Sequence, residues 1–296
     1  VGVSVTRKPD WLKVRLAGRE NYFHVSGILK EKGLHTICQS ARCPNIGACW
    51  ERRTATFLIL GDVCTRDCGF CAVAKGRPLP PDPAEPESLA EAAAALGLRY
   101  VVVTSVTRDD LADGGAGHFA AAIKAVKAKS PGTLVEVLIP DFQGDPDALE
   151  TVLAAGPDVL NHNLEAALSV YPRINRPSEN YRRSLRVLAR AAAASALTKS
   201  GLMVGLGESE ADVERAMEDL LGAGCGLITI GQYLRPTAAN PPVERYYTPQ
   251  EFERLARRAR ELGFAGVAGG PLVRSSYEAE RLYHEARGTR GQTCAT

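Results

Sequence analysis

Seven short runs rich in Val, Ile and Leu recur along this chain, at residues 55–60, 100–105, 134–140, 159–165, 197–206, 227–233 and 264–270. Each is followed by a polar or Gly-rich connection, and most then lead into an Ala/Leu/Arg-rich stretch of helical character, at residues 88–96, 117–129, 146–155, 179–194, 208–222 and 249–262. Continuous apolar strands alternating with helices predict a parallel sheet buried on both faces. Seven repeats predict an α/β fold, a barrel or partial (β/α) barrel of the TIM type, and 296 residues suit such a barrel as one domain. Active sites of these barrels lie at the C-terminal strand ends. The runs there are GDVCTRDC, TSVTRDD, IPDF, NHNLE, GLGE, QYLRPT and GGPLVRSSY. They are too polar for simple connections and are expected to converge on one pocket. Residues 1–50 and 271–296 stand outside the rhythm, which divides the chain into an N-terminal extension, a barrel over 51–270 and a C-terminal extension. The proline-rich stretch 76–88 is expected to be an ordered surface connection.

The charge balance, 36 basic against 34 acidic residues, argues against bulk nucleic-acid binding. No apolar run approaches the ~18 residues that span a bilayer, so no membrane partner is expected. No signal-peptide pattern opens the chain, although its start at Val1 leaves room for a removed targeting segment. Six of the eight cysteines sit in two tight groups, and neighbours that close bind metal more often than they staple distant loops. A reducing compartment follows: the cytoplasm, or the matrix of a mitochondrion or a plastid for a processed eukaryotic chain.

Cys64, Cys68 and Cys71 stand in GDVCTRDCGFC, a C-x3-C-x2-C spacing directly after the first strand; Cys38, Cys43 and Cys49 stand in CQSARCPNIGAC, a C-x4-C-x5-C spacing. Neither triplet has a fourth cysteine. Three thiolates hold three irons of a [4Fe–4S] cube and leave the fourth open to another ligand. The alternative, zinc, usually takes four ligands from paired C-x2-C units, and no second pair follows. With Phe70 between its last two cysteines, the second triplet resembles the CxxxCxxC loop of radical S-adenosylmethionine (SAM) enzymes. That resemblance implies that SAM chelates the open iron and is cleaved to a 5′-deoxyadenosyl radical, which takes hydrogen from an unactivated carbon.

The first triplet narrows the choice. LHTICQSARCPNIGACW resembles the auxiliary-cluster motif of the lipoyl synthase family, and the similarity continues through ATFLILGDVCTRDCGFC, VVVTSVTRDDLADGGAGHF, VEVLIPDFQGD, TKSGLMVGLGE, TIGQYLRPT and GPLVRSSYEA, in order. Ala48, where the family usually has Glu, and YPRINRPSENY are departures at non-ligand positions. The resemblance implies two [4Fe–4S] clusters, with Cys38, Cys43, Cys49 and Ser276 (the second serine of RSSY) around the auxiliary one. By sequence alone Ser276 reads equally as a helix N-cap, or Ser275 takes that role. Cys225 reads as a small buried apolar residue and Cys294 as part of a mobile tail.

The implied activity is insertion of two sulfur atoms, at C6 and C8, into an octanoyl chain on a lysine of a lipoyl carrier domain, with the auxiliary cluster as sulfur source. The implied partners are octanoylated 2-oxoacid dehydrogenase E2 subunits or the glycine cleavage H protein, and a low-potential electron donor. Candidate SAM contacts are Ser105, Asp109, Asn163 and Glu165; Asn161 and Lys199 are also expected at these strand ends, and His162 there reads equally as a structural hydrogen-bonder. The basic N-terminal extension and the stripe Arg182, Arg186, Arg190 are both candidate docks, and a solvated helix face also explains the stripe. Rival readings are another sulfur-inserting radical SAM enzyme and an iron–sulfur electron carrier.

Overall fold

A computed structural model describes residues 8–14 and 20–288; Cys294 lies outside them. In chain order the strands are β1 (His35–Thr36), β2 (Thr56–Ile59), β3 (Val63–Cys64), β4 (Ala74–Lys75), β5 (Tyr100–Ser105), β6 (Leu134–Leu138), β7 (Val159–Asn161), β8 (Thr198–Val204), β9 (Leu227–Gln232) and β10 (Gly266–Gly270). The α-helices are α1 (Glu20–Glu31), α2 (Ile37–Ser40), α3 (Ile46–Glu51), α4 (Glu85–Ala95), α5 (Ala116–Lys129), α6 (Pro146–Ala154), α7 (Ser178–Ala193), α8 (Glu210–Gly222), α9 (Pro249–Leu262) and α10 (Ala279–Ala286). One sheet runs in the order β1-β2-β5-β6-β7-β8-β9-β10, every pairing parallel except the antiparallel β1–β2 edge. The seven parallel strands coincide with the seven apolar runs. Strands β3 and β4 form a separate two-residue pair.

Side chains alternate along each strand. In β6, Val135 and Val137 join the core under the helices, while Glu136 between them lies on the opposite, inner face. There the barrel floor carries a polar network in place of an aliphatic layer. Lys199 Nζ donates to both Glu136 oxygens at 2.9 and 3.1 Å, and neither side chain is exposed at all. Tyr100 Oη and Asn161 Nδ2 donate to the same carboxylate at 2.7 and 2.9 Å. Burial, reinforced by Glu136, pushes the Tyr100 phenol well above its ordinary range. Lys199 is the second residue of β8, so it sits at the floor, away from the catalytic end.

The two extensions are tied to the barrel and to each other. Residues 1–50, expected to lack the βα pattern, carry the short strand β1 and helices α1 to α3. Asn45 Nδ2, just before α3, donates to the carbonyl of Leu272 at 2.6 Å. Gly231 in β9 lets the C-terminal segment cross: a Cβ there would lie 2.2 Å from the Val273 carbonyl oxygen. Helix α10 then turns under the barrel, with the Tyr283 ring 6.2 Å from that of Tyr100. The proline-rich stretch corrects one expectation. Its end is already helix α4, with Pro86 in the first turn, where the missing N–H costs no hydrogen bond.

Candidate active site

The turn after β2 is built to present the cysteine loop. Leu60 has a left-handed φ of 68°, unusual for a branched side chain, and is held from both sides. Its N–H donates to Glu85 at 2.8 Å, and its carbonyl accepts from the buried Arg108 at 3.3 Å. His118 also donates to Glu85. Beyond that turn the loop is fastened to later loops. Thr65 Oγ1 donates to Thr107 O, Asn175 Nδ2 to Asp67 O, and Asn240 Nδ2 to Gly69 O at 2.7 Å. Gly69 lies against the Ile174 backbone so closely that a Cβ would stand 3.0 Å from the Ile174 carbonyl carbon. Arg66, between Cys64 and Cys68, forks across two carboxylates: Asp109 at 2.6 and 2.8 Å, and Asp141 at 2.7 Å. Burial opposes ionisation of Asp141, but Arg66 overcomes it and holds that carboxyl far below its usual range.

One cavity of about 510 Å³ at the C-terminal end of the barrel takes residues from both cysteine loops. Cys38, Cys43 and Cys49 line it, Cys71 lines it from the other loop, and Ser276 lies on the same wall. Phe70, Leu138, Leu202 and Met203 give it apolar surface; Thr104, Asn163, Glu165 and Thr229 give it polar surface. Gly201 keeps the centre open, since a Cβ there would lie 2.8 Å from Asn163 Oδ1 and 3.0 Å from Ser275 Oγ. Burial pushes the Cys38 and Cys68 thiols up to about 11, and raises Cys49 and Cys71 as well. Such thiols lose their protons when a metal takes their place.

The residues expected from sequence fall into two groups. Asn163 and Glu165 line the cavity, and Ser275 Oγ donates to Asn163 Oδ1 at 2.9 Å. Glu165 has φ 76°, clamped by its N–H to Gly201 O at 3.0 Å and its carbonyl to Met203 N–H at 2.7 Å. Strain held this firmly is common at functional positions. Burial raises the Glu165 carboxyl, against the opposing charge of Arg176. Asp109, by contrast, gives both oxygens to Arg66 and lies outside the cavity lining, so its place is in fastening the cysteine loop. Ser105 is also outside the lining, with its buried Oγ lacking a partner. His162 is structural: its Nδ1–H donates to Ile139 O at 2.9 Å, which leaves Nε2 to accept from Ser184. Ser275 is no helix cap, because α10 begins at Ala279 without a side-chain cap. Of the seven polar runs, IPDF and GLGE serve as fasteners: Asp141 takes Arg66 and Arg183, and Glu208 accepts from Gly205 and Leu206 N–H.

Two arginines escaped the sequence reading. Arg176 is 9% exposed, its Nε has no partner, and its charge acts on Cys68 and Glu165. Arg274 lines the shared cavity. Both stand inside segments already singled out, but burial of a charge is decided by packing that a sequence does not display.

Residues 58–220 match the model of the Radical SAM superfamily. The lipoyl synthase of Methylococcus capsulatus is 55% identical over 278 residues, covering 93% of this chain and 86% of that protein. The lipoyl synthase of Rubrobacter xylanophilus is 52% identical over 282 residues, covering 95% and 88%. The chain belongs to the lipoyl synthase family. Among solved structures, Streptococcus suis SuiB superposes with a TM-score of 0.55 at 11% identity, covering 90% of this chain and 59% of that one. Escherichia coli coproporphyrinogen III oxidase (HemN), a radical SAM enzyme, gives 0.52 at 14% identity, covering 76% and 57%. These last two likenesses concern the fold alone.

The cavity suits what a lipoyl synthase must hold. Among the described residues no three His, Cys, Asp or Glu side chains converge on a single ion; thiolates on separate irons of a cube need not. Ser105 Oγ and Arg176 Nε are orphaned polar atoms of the kind a polar ligand satisfies. The fully buried Trp50 indole N–H, with no oxygen or nitrogen partner, stands beside Cys38 and favours its thiolate.

Proposed function

We propose that this chain converts a protein-bound N6-octanoyl-lysine to the lipoyl group, as a radical SAM sulfurtransferase that inserts sulfur at C6 and C8. The observation that carries the reading is the meeting of Cys38, Cys43 and Cys49, Cys71 of the second triplet, and Ser276 on one cavity. Bound there, SAM on one [4Fe–4S] cluster supplies a hydrogen-abstracting radical and the second cluster supplies sulfur. Cys64, Cys68 and Cys71 would hold the first cluster, and Cys38, Cys43, Cys49 and Ser276 the second. Asn163 and Glu165, with Ser105 Oγ and Arg176 Nε from outside the lining, would take the polar groups of SAM, while Asp109 acts at one remove through Arg66. The apolar wall of Phe70, Leu138, Leu202 and Met203 would receive the aliphatic chain and keep water from it. Ser276 is the exchangeable member of its set, because a serine oxygen suits iron less well than a thiolate. The division into N-terminal extension, barrel and C-terminal extension follows from this: the two extensions supply the sulfur-donor site and the barrel supplies the radical site. The substrate proteins we infer are acylated carrier domains of the E2 and H-protein kind, with a low-potential donor for the reducing electrons.

The test is Ser276→Ala, anaerobically reconstituted and supplied with SAM, reductant and an octanoyl-lysine peptide. Deoxyadenosine is expected to form while lipoyl-lysine, read by mass spectrometry, falls to a small fraction of wild type. Full lipoyl product from this variant would overturn the assignment.

A further inference from the structure

The cavity lining is out of charge balance. Lys8, Arg42, Arg235 and Arg274 contribute cations, and Glu165 is its one carboxylate among the described residues. Three of these cations sit at or near solvent. Arg274 is more enclosed, on the cavity wall it shares with Cys38, Cys43 and Cys49. Its Nη1 donates to the carbonyls of Val273 at 2.7 Å and Gln232 at 3.3 Å. The guanidinium has five N–H donors in a fixed fork, so three remain on Nε and Nη2 without a partner among the described residues. It makes no ion pair with any described carboxylate. A partly enclosed guanidinium left without an anion gives up hydration for no ionic partner, and the fold nevertheless fixes this one, by two main-chain carbonyls, on the segment that carries Ser276.

We infer that Arg274 is the counter-ion of the auxiliary site: its guanidinium balances the thiolate charge contributed by Cys38, Cys43 and Cys49 and thereby sets the potential and retention of the cluster they hold. This rests on the two-cluster reading above and assigns a role to a residue that is not itself a ligand. Its physical content is simple. Removing a positive charge beside an anionic cluster makes adding an electron harder, so the potential falls, and net charge is one of the levers on cluster potentials. The unpaired donors would also restrain the sulfurs by hydrogen bonding. The rival anion for Arg274 is the carboxylate of SAM, which predicts a different response.

The experiment compares wild type, Arg274→Gln and Arg274→Lys as full-length, anaerobically reconstituted chains. Iron and sulfide per chain are counted, and each cluster's midpoint potential is followed by EPR-monitored titration, with signals assigned in a Cys64→Ala/Cys68→Ala/Cys71→Ala background. Expected is a lower auxiliary potential in Arg274→Gln, near-wild-type behaviour in Arg274→Lys, and no shift at the other cluster. Loss of auxiliary iron from Arg274→Gln but not from Arg274→Lys supports the proposal equally. An unmoved auxiliary potential in a fully loaded Arg274→Gln overturns it. So does equal damage in both variants, which would signal packing, or weakened SAM binding with an unchanged auxiliary cluster. If wild type itself loads only about four irons instead of about eight, the two-cluster reading has failed before Arg274 is tested.

Discussion

Replacing Lys199 by Met should destabilise the barrel far more than replacing Lys199 and Glu136 together. In the native floor Glu136 accepts from Lys199, Tyr100 and Asn161, and both charged groups are wholly buried. Breaking a buried pair from one side typically costs about 3–5 kcal/mol, because the remaining charge is stranded. Here Glu136 keeps two neutral donors, each worth about 1.5–3 kcal/mol to a charged acceptor, so the lower end, about 3 kcal/mol, is expected. In Lys199→Met/Glu136→Gln no charge is left behind. The amide introduced at position 136 can still accept from Tyr100 and can donate to Asn161 Oδ1, which is buried without a partner among the described residues. The double variant should therefore lie within about 1 kcal/mol of wild type, a coupling of about 2 kcal/mol or more. With a urea slope of about 3 kcal/mol/M, the single variant loses about 1 M in midpoint and the double variant about a third of that. The assay is urea unfolding by circular dichroism on all four proteins of the cycle in the same metal-loaded state. SAM affinity is measured alongside. Additive losses would refute the ion-pair reasoning. A folded, stable double variant that no longer binds SAM would return Lys199 to the cofactor site.

Gly231→Ala should push the Val273–Ser276 segment off β9, since its Cβ would lie 2.2 Å from a backbone oxygen; iron is expected to fall from about eight to about four per chain with helix content unchanged, and a full complement would contradict this. His162, lowered to about 4 chiefly by burial, binds fewer protons folded than unfolded near pH 5, so stability rises with pH between about 4 and 6.5 and is lost on acidification through that window. The contribution is up to about 3 kcal/mol, and a urea-midpoint series against His162→Gln should show the slope vanish in the variant. Charge reversal of Arg182 and Arg186, which share Glu179 on the outer face of α7 away from the cavity, should leave the KM for an octanoylated carrier domain unchanged. Reversal of Lys8 and Arg42 on the cavity rim should raise that KM severalfold at low salt; a flat response would remove the rim as the dock.

The strand rhythm was legible because a strand buried on both faces must be apolar along most of its length, whichever neighbour it finds. Boundaries were less so. The run at 159–165 leaves the ladder after Asn161, where the chain turns to set Glu165 in its left-handed conformation. Helix α4 begins before residue 88 because proline is a breaker only beyond the first turn. The cysteine triplets stood out because metal ligation demands particular atoms at close spacing, and the fold brings the first triplet and Cys71 of the second to one cavity. Asp109 shows the limit: its placement beside the cysteine loop could be anticipated, but its partner, Arg66, is chosen by how two loops meet. Arg176 and Arg274 were invisible for the same reason, since a charged side chain reads as solvated until packing encloses it.

The two triplets differ in how the chain supports them, and the difference bears on what each can do. The Cys64–Cys71 loop is fastened at its root by Glu85 and Arg108, and along its length by Thr107, Ile174, Asn175, Asn240 and the Arg66 fork. Opening it would disturb several barrel loops at once. The Cys38–Cys49 group rests on short helices α2 and α3; among the described residues Asn45 ties it to Leu272, and the Ser276 segment in turn crosses the barrel at Gly231 of β9. A site joined from opposite ends of the chain by so few contacts can loosen while the barrel stays folded, because local opening costs only the contacts it breaks. A cluster that must persist through every turnover belongs in the first setting. A cluster that must give up sulfur, lose a ligand and be rebuilt belongs in the second, which is the order that the proposed assignment of the two triplets gives.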